Sequence, residues 1–215
     1  MSTFRMMRIR VFFSKNEVMR YTGHLDLHKT WERIFRRSGL PLAYSQGFHP
    51  QPRLNLACAL PLGFTSQAEI LDAWLESPIQ IEDIQTALIQ SSPPGITIHK
   101  IEEVELRAPA LQTQVIAAEY LITSQITDMD LNQKLNQVMN AQSIPRQWRG
   151  RAYDLRPLIE GLQRLSDTEQ GSIQLLIRLA AREGATGRPE ELLDVLGLPP
   201  CQTRVHRTKL FFHNQ

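Results

Sequence analysis

The chain has 215 residues, 42% of them hydrophobic and 21% charged, a composition that argues against disorder and is long enough to bury a core. No apolar run approaches the roughly 20 residues that cross a bilayer, so we expect no membrane segment, and no secretory signal is recognised near the N-terminus. The two cysteines, Cys58 and Cys201, fit no CxxC pattern. We therefore predict that the protein resides in a reducing cytoplasm and has no cysteine-based metal site.

Charge is sorted along the chain. Residues 1–53 hold ten Lys and Arg against three acids (+7), residues 54–145 hold three against eleven (−8), and residues 146–215 hold eleven against eight (+3). Sorted charge is informative about partners rather than fold. Two basic ends around an acidic middle predict either a polyanionic partner or ordinary solvated faces.

The first half of the chain alternates β-rich runs with amphipathic ones. Thr22 is a candidate N-cap for the first helix, and Gly39, followed by Pro41, is its predicted C-terminal stop. The predicted order is a strand at 8–13, an extended piece at 18–21, a helix ending before 39, a loop at 44–53, strands at 54–60 and 68–75, a helix at 81–90 and a strand at 95–104.

The second half repeats this order in its elements. We predict a strand at 119–126, a helix at 128–140, strands within 151–162 and at 172–180, a short helix at 189–196 that opens with a proline, and a strand at 205–212. The fold class predicted is therefore α+β, with two tandem ferredoxin-like (βαββαβ) domains that have antiparallel sheets. They are predicted to span residues 1–107 and 115–215, with a linker at 108–114.

Four basic residues recur at helical spacing in the first helix. Lys29, Arg33, Arg36 and Arg37 share one face. Arginine forks match phosphate geometry, so this stripe predicts a nucleic-acid contact. The alternative is that cations at a helix C-terminus are favoured by the helix dipole and need no ligand.

The following loop, YSQGFHPQPR, carries Tyr44, Phe48 and His49 beside a flexible glycine and two stiffening prolines. Exposed rings beside arginines stack unpaired bases, as in single-stranded RNA recognition. Packing of Phe48 into the core beneath the loop is the somewhat favoured alternative for that residue. The predicted nucleic-acid-binding set is Lys29, Arg33, Arg36, Arg37, Tyr44, Ser45, Gln46, Phe48, His49, Arg53, Arg149, Arg151 and Arg156.

Histidines in and near the first helix are candidates for metal binding or acid–base catalysis. His24 and His28 are spaced i, i+4, but a zinc site would need a third ligand, so we predict no metal. His24 and His49 are the candidate catalytic residues if the chain is an enzyme, because a histidine can act as a general acid or base. Polar residues in otherwise apolar segments need partners, which predicts one shared polar pocket formed by His24, Asp26, Ser45, Gln46 and His49.

A second basic and aromatic cluster, RQWRGRAYDLR, lies at residues 146–156. There Arg149, Arg151 and Arg156 interleave with Trp148 and Tyr153, and further basic residues follow on the last predicted strand. Charge that protects an exposed strand edge is an equally good explanation.

One known family resembles this chain over its first 75 residues or so. The residues that carry the resemblance are His24-Leu25-Asp26-Leu27, Arg36-Arg37, Gly39-Leu40-Pro41, Ser45-Gln46-Gly47-Phe48, Pro50, Pro52, Pro61-Leu62-Gly63 and Glu69, and more loosely Asp154-Leu155-Arg156-Pro157. They resemble an uncharacterised bacterial radical SAM-linked (radical SAM-associated) protein family, whose members are encoded beside a radical SAM protein or fused to its C-terminus. The absence of a CxxxCxxC motif makes this chain similar to the stand-alone form without the radical SAM domain.

The resemblance implies an accessory to a radical enzyme. Together with the basic clusters it predicts an RNA-binding accessory in tRNA or rRNA modification, without a catalytic centre of its own. Its partners would be a radical SAM protein and structured or single-stranded RNA. S-adenosylmethionine and an iron–sulfur cluster would come only through that partner. Two alternatives are a metal-independent endoribonuclease of the tandem ferredoxin-like type and a protein-interaction module that docks a radical SAM enzyme without touching RNA.

Overall fold

Apolar side chains alternate along the first β-rich run and give β1 (Met7–Lys15), in which Ile9, Val11 and Phe13 are fully buried. The computed structural model describes residues 6–126, 130–148 and 150–213. It has two units, Met1–Gln114 and Val115–Gln215.

The first unit is a four-stranded antiparallel sheet with two helices on one face. The elements after β1 are α1 (His24–Ser38), β2 (Leu54–Leu56), β3 (Thr65–Leu75), α2 (Ile81–Ser91), β4 (Ile96–Val104) and the short α3 (Leu111–Gln114). Strand β1 lies between β3 and β4, and β2 pairs with β3. Helices α1 and α2 contribute to one apolar core with β1, in which Trp31 and Phe13 pack edge to face with ring centroids 4.8 Å apart.

Two local predictions for this unit are wrong. Residues 17–19 form a 3₁₀ turn rather than an extended piece, because the amides of Arg20 and Thr22 bond to carbonyls three residues back. Gly23, not Thr22, is the N-cap of α1, and its carbonyl accepts the first helical hydrogen bond from Leu27 at 2.8 Å. The predicted end is confirmed, since Gly39 adopts the left-handed conformation with φ 71°.

A buried cluster of ionic side chains lies near the C-terminal end of the first unit. Asp72 accepts from Arg8 Nη2 at 2.6 Å and from Arg10 Nε at 2.8 Å. Arg8 also donates to the carbonyl oxygens of Ala108 and Pro109, at 2.6 and 2.9 Å. A buried guanidinium needs such partners, and these contacts fix residues 108 and 109 of the predicted linker to β1.

The second unit has the same sheet arrangement with additions. Its elements are β5 (Val115–Ser124), α4 (Leu131–Asn140), β6 (Pro145–Trp148), β7 (Arg151–Asp154), β8 (Ile159–Arg164), β9 (Ile173–Arg182), β10 (Ala185–Thr186), α5 (Pro189–Leu196) and β11 (Thr203–Phe212). Strand β5 lies between β9 and β11, and β8 pairs with β9, all antiparallel. Strand β10 pairs with the end of β9, whereas β6 and β7 form a separate hairpin.

Burial in this unit follows the expected periods. Ile173, Leu175, Ile177 and Leu179 alternate as the buried face of β9, while α4 and α5 contact each other through their own apolar faces. The predicted helix at 189–196 is confirmed, and the predicted helix start at 128 lies outside the described residues. The predicted α+β class and antiparallel pairing are confirmed. Within the described ranges, no helix is long and apolar enough to cross a bilayer.

Candidate nucleic-acid interface

Helix α1 has one buried and one basic face. Leu27, Trp31, Ile34 and Phe35 recur at helical spacing and are all buried, so their burial fixes the rotation of the helix about its axis. This rotation exposes the side chains of the predicted basic stripe, which are Lys29, Arg33, Arg36 and Arg37.

The four cations of this stripe do not have the same contacts. Arg37 Nη2 donates to the carbonyl oxygen of Ser91 at 2.5 Å and so ties the end of α1 to the end of α2. In the part of the chain that the structure describes, Lys29, Arg33 and Arg36 make no side-chain hydrogen bond or ion pair. These three side chains are therefore accessible to an anionic ligand.

The predicted loop after α1 is a short hairpin, here called the first hairpin (residues 43–53). Its stem has a backbone bond from Arg53 to Ala43 at 2.9 Å and another from Ser45 to Gln51 at 2.8 Å. The Ser45 hydroxyl also accepts from the Gln51 amide at 2.9 Å, and Tyr44 pairs with Pro52. These contacts turn an irregular loop into a defined projection.

Phe48 stands at the tip of the first hairpin and is 103% exposed. The favoured expectation that Phe48 packs into the core is therefore wrong. The physical reason is the stem: pairing of residues 43–45 with 51–53 carries the tip away from the sheet. Gly47 precedes Phe48 with φ 134°, a conformation that favours glycine. Tyr44 is half exposed, and Gln46 and His49 are exposed.

Contacts with both α1 and β3 anchor the base of the first hairpin. His28 on α1 bridges Glu32 Oε1 at 3.0 Å and the carbonyl oxygen of Leu54 at 3.2 Å. The guanidinium of Arg53 lies 4.9 Å from the centroid of the Trp74 ring, which Arg8 also contacts at 4.8 Å. Arg53 is therefore part of the hairpin's support.

The residues of the predicted polar pocket lie on two elements. His24 begins α1 and is half-buried, and Asp26 is exposed one turn before Thr30, whose hydroxyl donates to the Asp26 carbonyl at 2.8 Å. Ser45 accepts a hydrogen bond within the hairpin stem, while Gln46 and His49 lie at its exposed tip. Their convergence on one pocket remains a prediction. Across the described ranges, no three His, Cys, Asp or Glu side chains group closely enough to bind a metal ion.

The second basic cluster lies on the β6–β7 hairpin, here called the second hairpin (residues 145–154). Trp148 is 40% exposed and faces Arg151 across the two strands. Arg188, which the sequence patterns did not single out, holds its guanidinium 4.3 Å from the Trp148 ring and 5.8 Å from that of Tyr153. Its position just before the proline of α5 gives no sign of this contact, since the two residues are far apart in sequence.

The other arginines of this cluster differ in what they bind. Arg146 pairs with Glu191 at 2.5 Å and with Asp194. Arg156 donates to the carbonyl oxygens of Met139 and Ile159, at 2.9 and 3.2 Å. Arg151 is exposed, and Arg149 lies outside the described residues.

Asp154 closes the second hairpin with its carboxylate. Its Oδ1 accepts from the amides of Ile144 and Arg156 at 2.7 and 2.9 Å. These two hydrogen bonds stabilise the charged form and lower the pKa of the Asp154 carboxyl below its ordinary value. The carboxylate is thereby engaged with two backbone amides.

Comparison with solved structures finds distant similarity. The chain is similar to the crystal structure of a Cbf5–Nop10–Gar1 complex, with 10% identity, a TM-score of 0.46, and coverage of 87% of this chain and 46% of that one. For an H/ACA RNP bound to a substrate RNA containing 2′-deoxyuridine the values are 12%, 0.43, 87% and 45%. For the acetolactate synthase small subunit from Thermotoga maritima they are 12%, 0.27, 98% and 98%. The chain spans slightly under half the length of the first two, and likenesses of this size carry no functional argument.

Comparison of sequences identifies a family. No curated protein matches the chain. A family model described as an uncharacterised protein conserved in bacteria, DUF2344, matches residues 8–189. This stretch includes α1, both hairpins and strands β2 to β10. The chain therefore belongs to the bacterial family DUF2344.

Proposed function

We propose that this protein is a cytoplasmic RNA-binding accessory that works with a radical SAM enzyme in tRNA or rRNA modification. The observation that carries the RNA-binding proposal is the first hairpin, whose tip exposes Phe48 fully and whose base is held against α1, the helix that carries the basic stripe. Contact of an exposed phenyl ring with water is unfavourable, and stacking on an unpaired base removes part of the ring surface from water.

The phosphate contacts are assigned to the exposed cations of α1. Lys29, Arg33 and Arg36 lie along one side of the helix, and the His28–Leu54 contact holds the base of the first hairpin against this same helix. Stacking contributes about 1–3 kcal/mol per base, and each phosphate contact adds a salt-dependent increment. In this proposal the cations bind the phosphates and so fix the register of the RNA backbone on the protein. Phe48, Tyr44 and His49 contact the bases.

The radical SAM partner is proposed from the resemblance of the residues in and around α1 and the first hairpin. The chain has two cysteines far apart, so a radical SAM iron–sulfur cluster would have to be held by the partner enzyme. In this proposal the partner enzyme binds S-adenosylmethionine and the iron–sulfur cluster, and this chain binds and orients the RNA.

We also propose that the two units are tandem ferredoxin-like domains. In the first unit the order across the sheet is β4–β1–β3–β2, and in the second it is β11–β5–β9–β8. Along the chain, each unit has one helix after its first strand and another before its last strand. This is the arrangement of a split βαβ unit, which supports a common architecture for the two.

RNA affinity measured by fluorescence anisotropy tests the function. Bulk tRNA and a single-stranded oligoadenylate serve as probes over a range of salt concentrations. Phe48→Ala is expected to weaken binding about 5- to 100-fold, with rescue by Phe48→Trp. The double variant Arg33→Ala with Arg36→Ala is expected to lower the salt slope by about 1.5.

Arg107→Ala is the matched control, since it removes an exposed cation that is far from α1 in sequence. Equal affinities for the wild type, the Phe48 variant and the double variant would contradict RNA binding at this surface. The same samples run on a gel test the ribonuclease alternative, because an accessory protein leaves the RNA intact.

A protein-docking role is the second candidate, and a specific patch favours it. Four large apolar side chains next to the start of α1 are between 63% and 78% exposed; they are Val18, Tyr21, Leu25 and Leu62. The backbones of Arg20 and Gly63 bond at 3.0 Å, which brings the turn at residue 62 beside the segment before α1. Exposed apolar groupings of this kind mark protein contacts. Replacement of Leu25 and Leu62 by Ser should abolish co-purification with a radical SAM enzyme encoded nearby while RNA affinity is kept.

A further inference from the structure

The two hairpins occupy the same place in the two units. The first hairpin lies between α1 and β2, and the second lies between α4 and β8. Each stem begins within five residues of the end of its helix, at Ala43 and at Pro145. Each tip presents an aromatic ring, Phe48 in one and Trp148 in the other. The correspondence is in topology and not in sequence, so the charge pattern alone did not reveal it.

The tip of the second hairpin combines an aromatic surface with cations. The Trp148 ring is 40% exposed and is in cation–π contact with Arg188 at 4.3 Å. Arg151 is the partner of Trp148 in the last rung before the turn, which contains Gly150 at φ 79°. A ring supported by one arginine, with a second arginine across the strands, matches the contacts that hold an unpaired base and its phosphate.

Three of the neighbouring acids have partners other than Arg151, and Glu190 interacts electrostatically with Arg188. Glu191 and Asp194 both pair with Arg146 at the far end of β6. Asp154 accepts from two backbone amides. Arg151 has no ion pair in the described part of the chain, and it is exposed.

We propose that the second hairpin is a second nucleobase-binding site for single-stranded RNA, an inference that rests on the proposed RNA-binding function. Trp148 stacks on one unpaired base, and Arg151 binds the phosphate next to it. Arg188 is a positioning residue, because its contact with Trp148 and Tyr153 holds the indole ring in place. The protein thus makes base contacts at two equivalent hairpins, one in each unit.

Tryptophan fluorescence tests the stacking directly. Trp31 and Trp74 are buried, so Trp148 is the tryptophan of the chain whose emission a stacked base can quench. Titration with single-stranded oligoadenylate is expected to quench the wild type. Trp148→Phe is expected to bind with affinity within about twofold of wild type but without quenching, because a phenyl ring still stacks. Retention of full quenching in Trp148→Phe would overturn the proposal.

Affinity provides the second readout. Trp148→Ala is expected to weaken oligoadenylate binding about 5- to 100-fold, and Arg151→Ala to lower the salt slope by about 0.7. Met139→Ala is the matched control, since that side chain is 39% exposed in the same unit. Thermal melting monitored by circular dichroism verifies that each variant is folded.

The outcomes separate this inference from the function on which it rests. If Phe48→Ala weakens binding and both Trp148→Ala and Arg151→Ala leave it unchanged, the second site is refuted and the proposed function stands. If no variant at either hairpin or in the basic stripe of α1 alters binding, the RNA-binding function fails as well. Loss of a protein partner by Trp148→Ala with unchanged RNA affinity would identify the second hairpin as a protein contact and overturn the proposal.

Discussion

His28 Nε2 lies 3.2 Å from the carbonyl oxygen of Leu54, a contact that joins the basic helix to the residue directly after the first hairpin. The other ring nitrogen lies 3.0 Å from Glu32 Oε1. Both partners are oxygen acceptors, so the protonated ring donates to both and a neutral ring donates to one. Through this bridge, the orientation of the candidate base-binding tip depends on α1.

Removing this bridge should affect both stability and binding. We expect His28→Ala to lower the free energy of unfolding by about 1–2 kcal/mol, the value of one or two hydrogen bonds, and to weaken RNA binding because the hairpin is less well held. Urea unfolding and anisotropy measure the two effects. Glu32→Gln should keep the Leu54 contact and most of the affinity. An unchanged RNA affinity in the folded His28 variant would show that α1 does not position the hairpin.

The buried cluster around Asp72 should be among the most sensitive polar positions of the first unit. Asp72→Asn leaves Arg8 and Arg10 without their counter-charge, and breaking a buried pair costs about 3–5 kcal/mol. We expect a correspondingly lower midpoint in urea. Glu76→Gln, at an exposed carboxylate just after β3, is the comparison and should change stability by less than about 0.5 kcal/mol. Similar midpoints for the two variants would refute a stabilising role for the cluster.

Arg36 and Arg37 are adjacent in sequence but should give different results. Arg37 is bound to the carbonyl oxygen of Ser91, so Arg37→Ala should lower stability by about 1 kcal/mol. Arg36 is exposed, so Arg36→Ala should lower the salt slope of RNA binding by about 0.7–0.9 and leave stability within about 0.5 kcal/mol. Thermal melts and salt titrations of the two single variants distinguish the roles. A greater loss of stability from Arg36→Ala than from Arg37→Ala would contradict this assignment.

His206 on β11 should make stability depend on pH. Partial burial disfavours the charged ring and lowers its pKa in the folded state below the ordinary 6.5. The unfolded chain then binds the proton more tightly. The contribution of His206 to stability is therefore greatest above pH 6.5, falls as the pH decreases through 6.5, and levels off below the folded pKa.

Urea unfolding at a series of pH values tests this dependence. His206→Gln cannot take up a proton and should flatten the curve between neutral pH and the lowered folded pKa. His213→Gln is the control, because His213 lies exposed just beyond the end of β11. A wild-type curve that rises as the pH decreases through this interval would have the wrong sign for the proposed cause.

Local sequence patterns determined several features of this protein. The apolar stripe of α1 fixed its buried face, and Gly39 ended the helix, because helical periodicity and a left-handed backbone are properties of neighbouring residues. The short helix from Pro189 to Leu196 followed from the same local rules. The position of the basic stripe, on the side of α1 away from the apolar one, follows from helical spacing alone.

Tertiary structure decided the features that join distant residues. Sequence favoured a buried Phe48, but pairing of the hairpin stem exposes it. The contacts of His28 with Leu54 and of Arg188 with Trp148 connect residues that local periodicity does not relate. Such contacts depend on strand register and on how helices pack on sheets, and a sequence specifies these only through the whole folded chain. For the same reason, charge spacing revealed the basic residues but not which of them face solvent and which bind the protein itself.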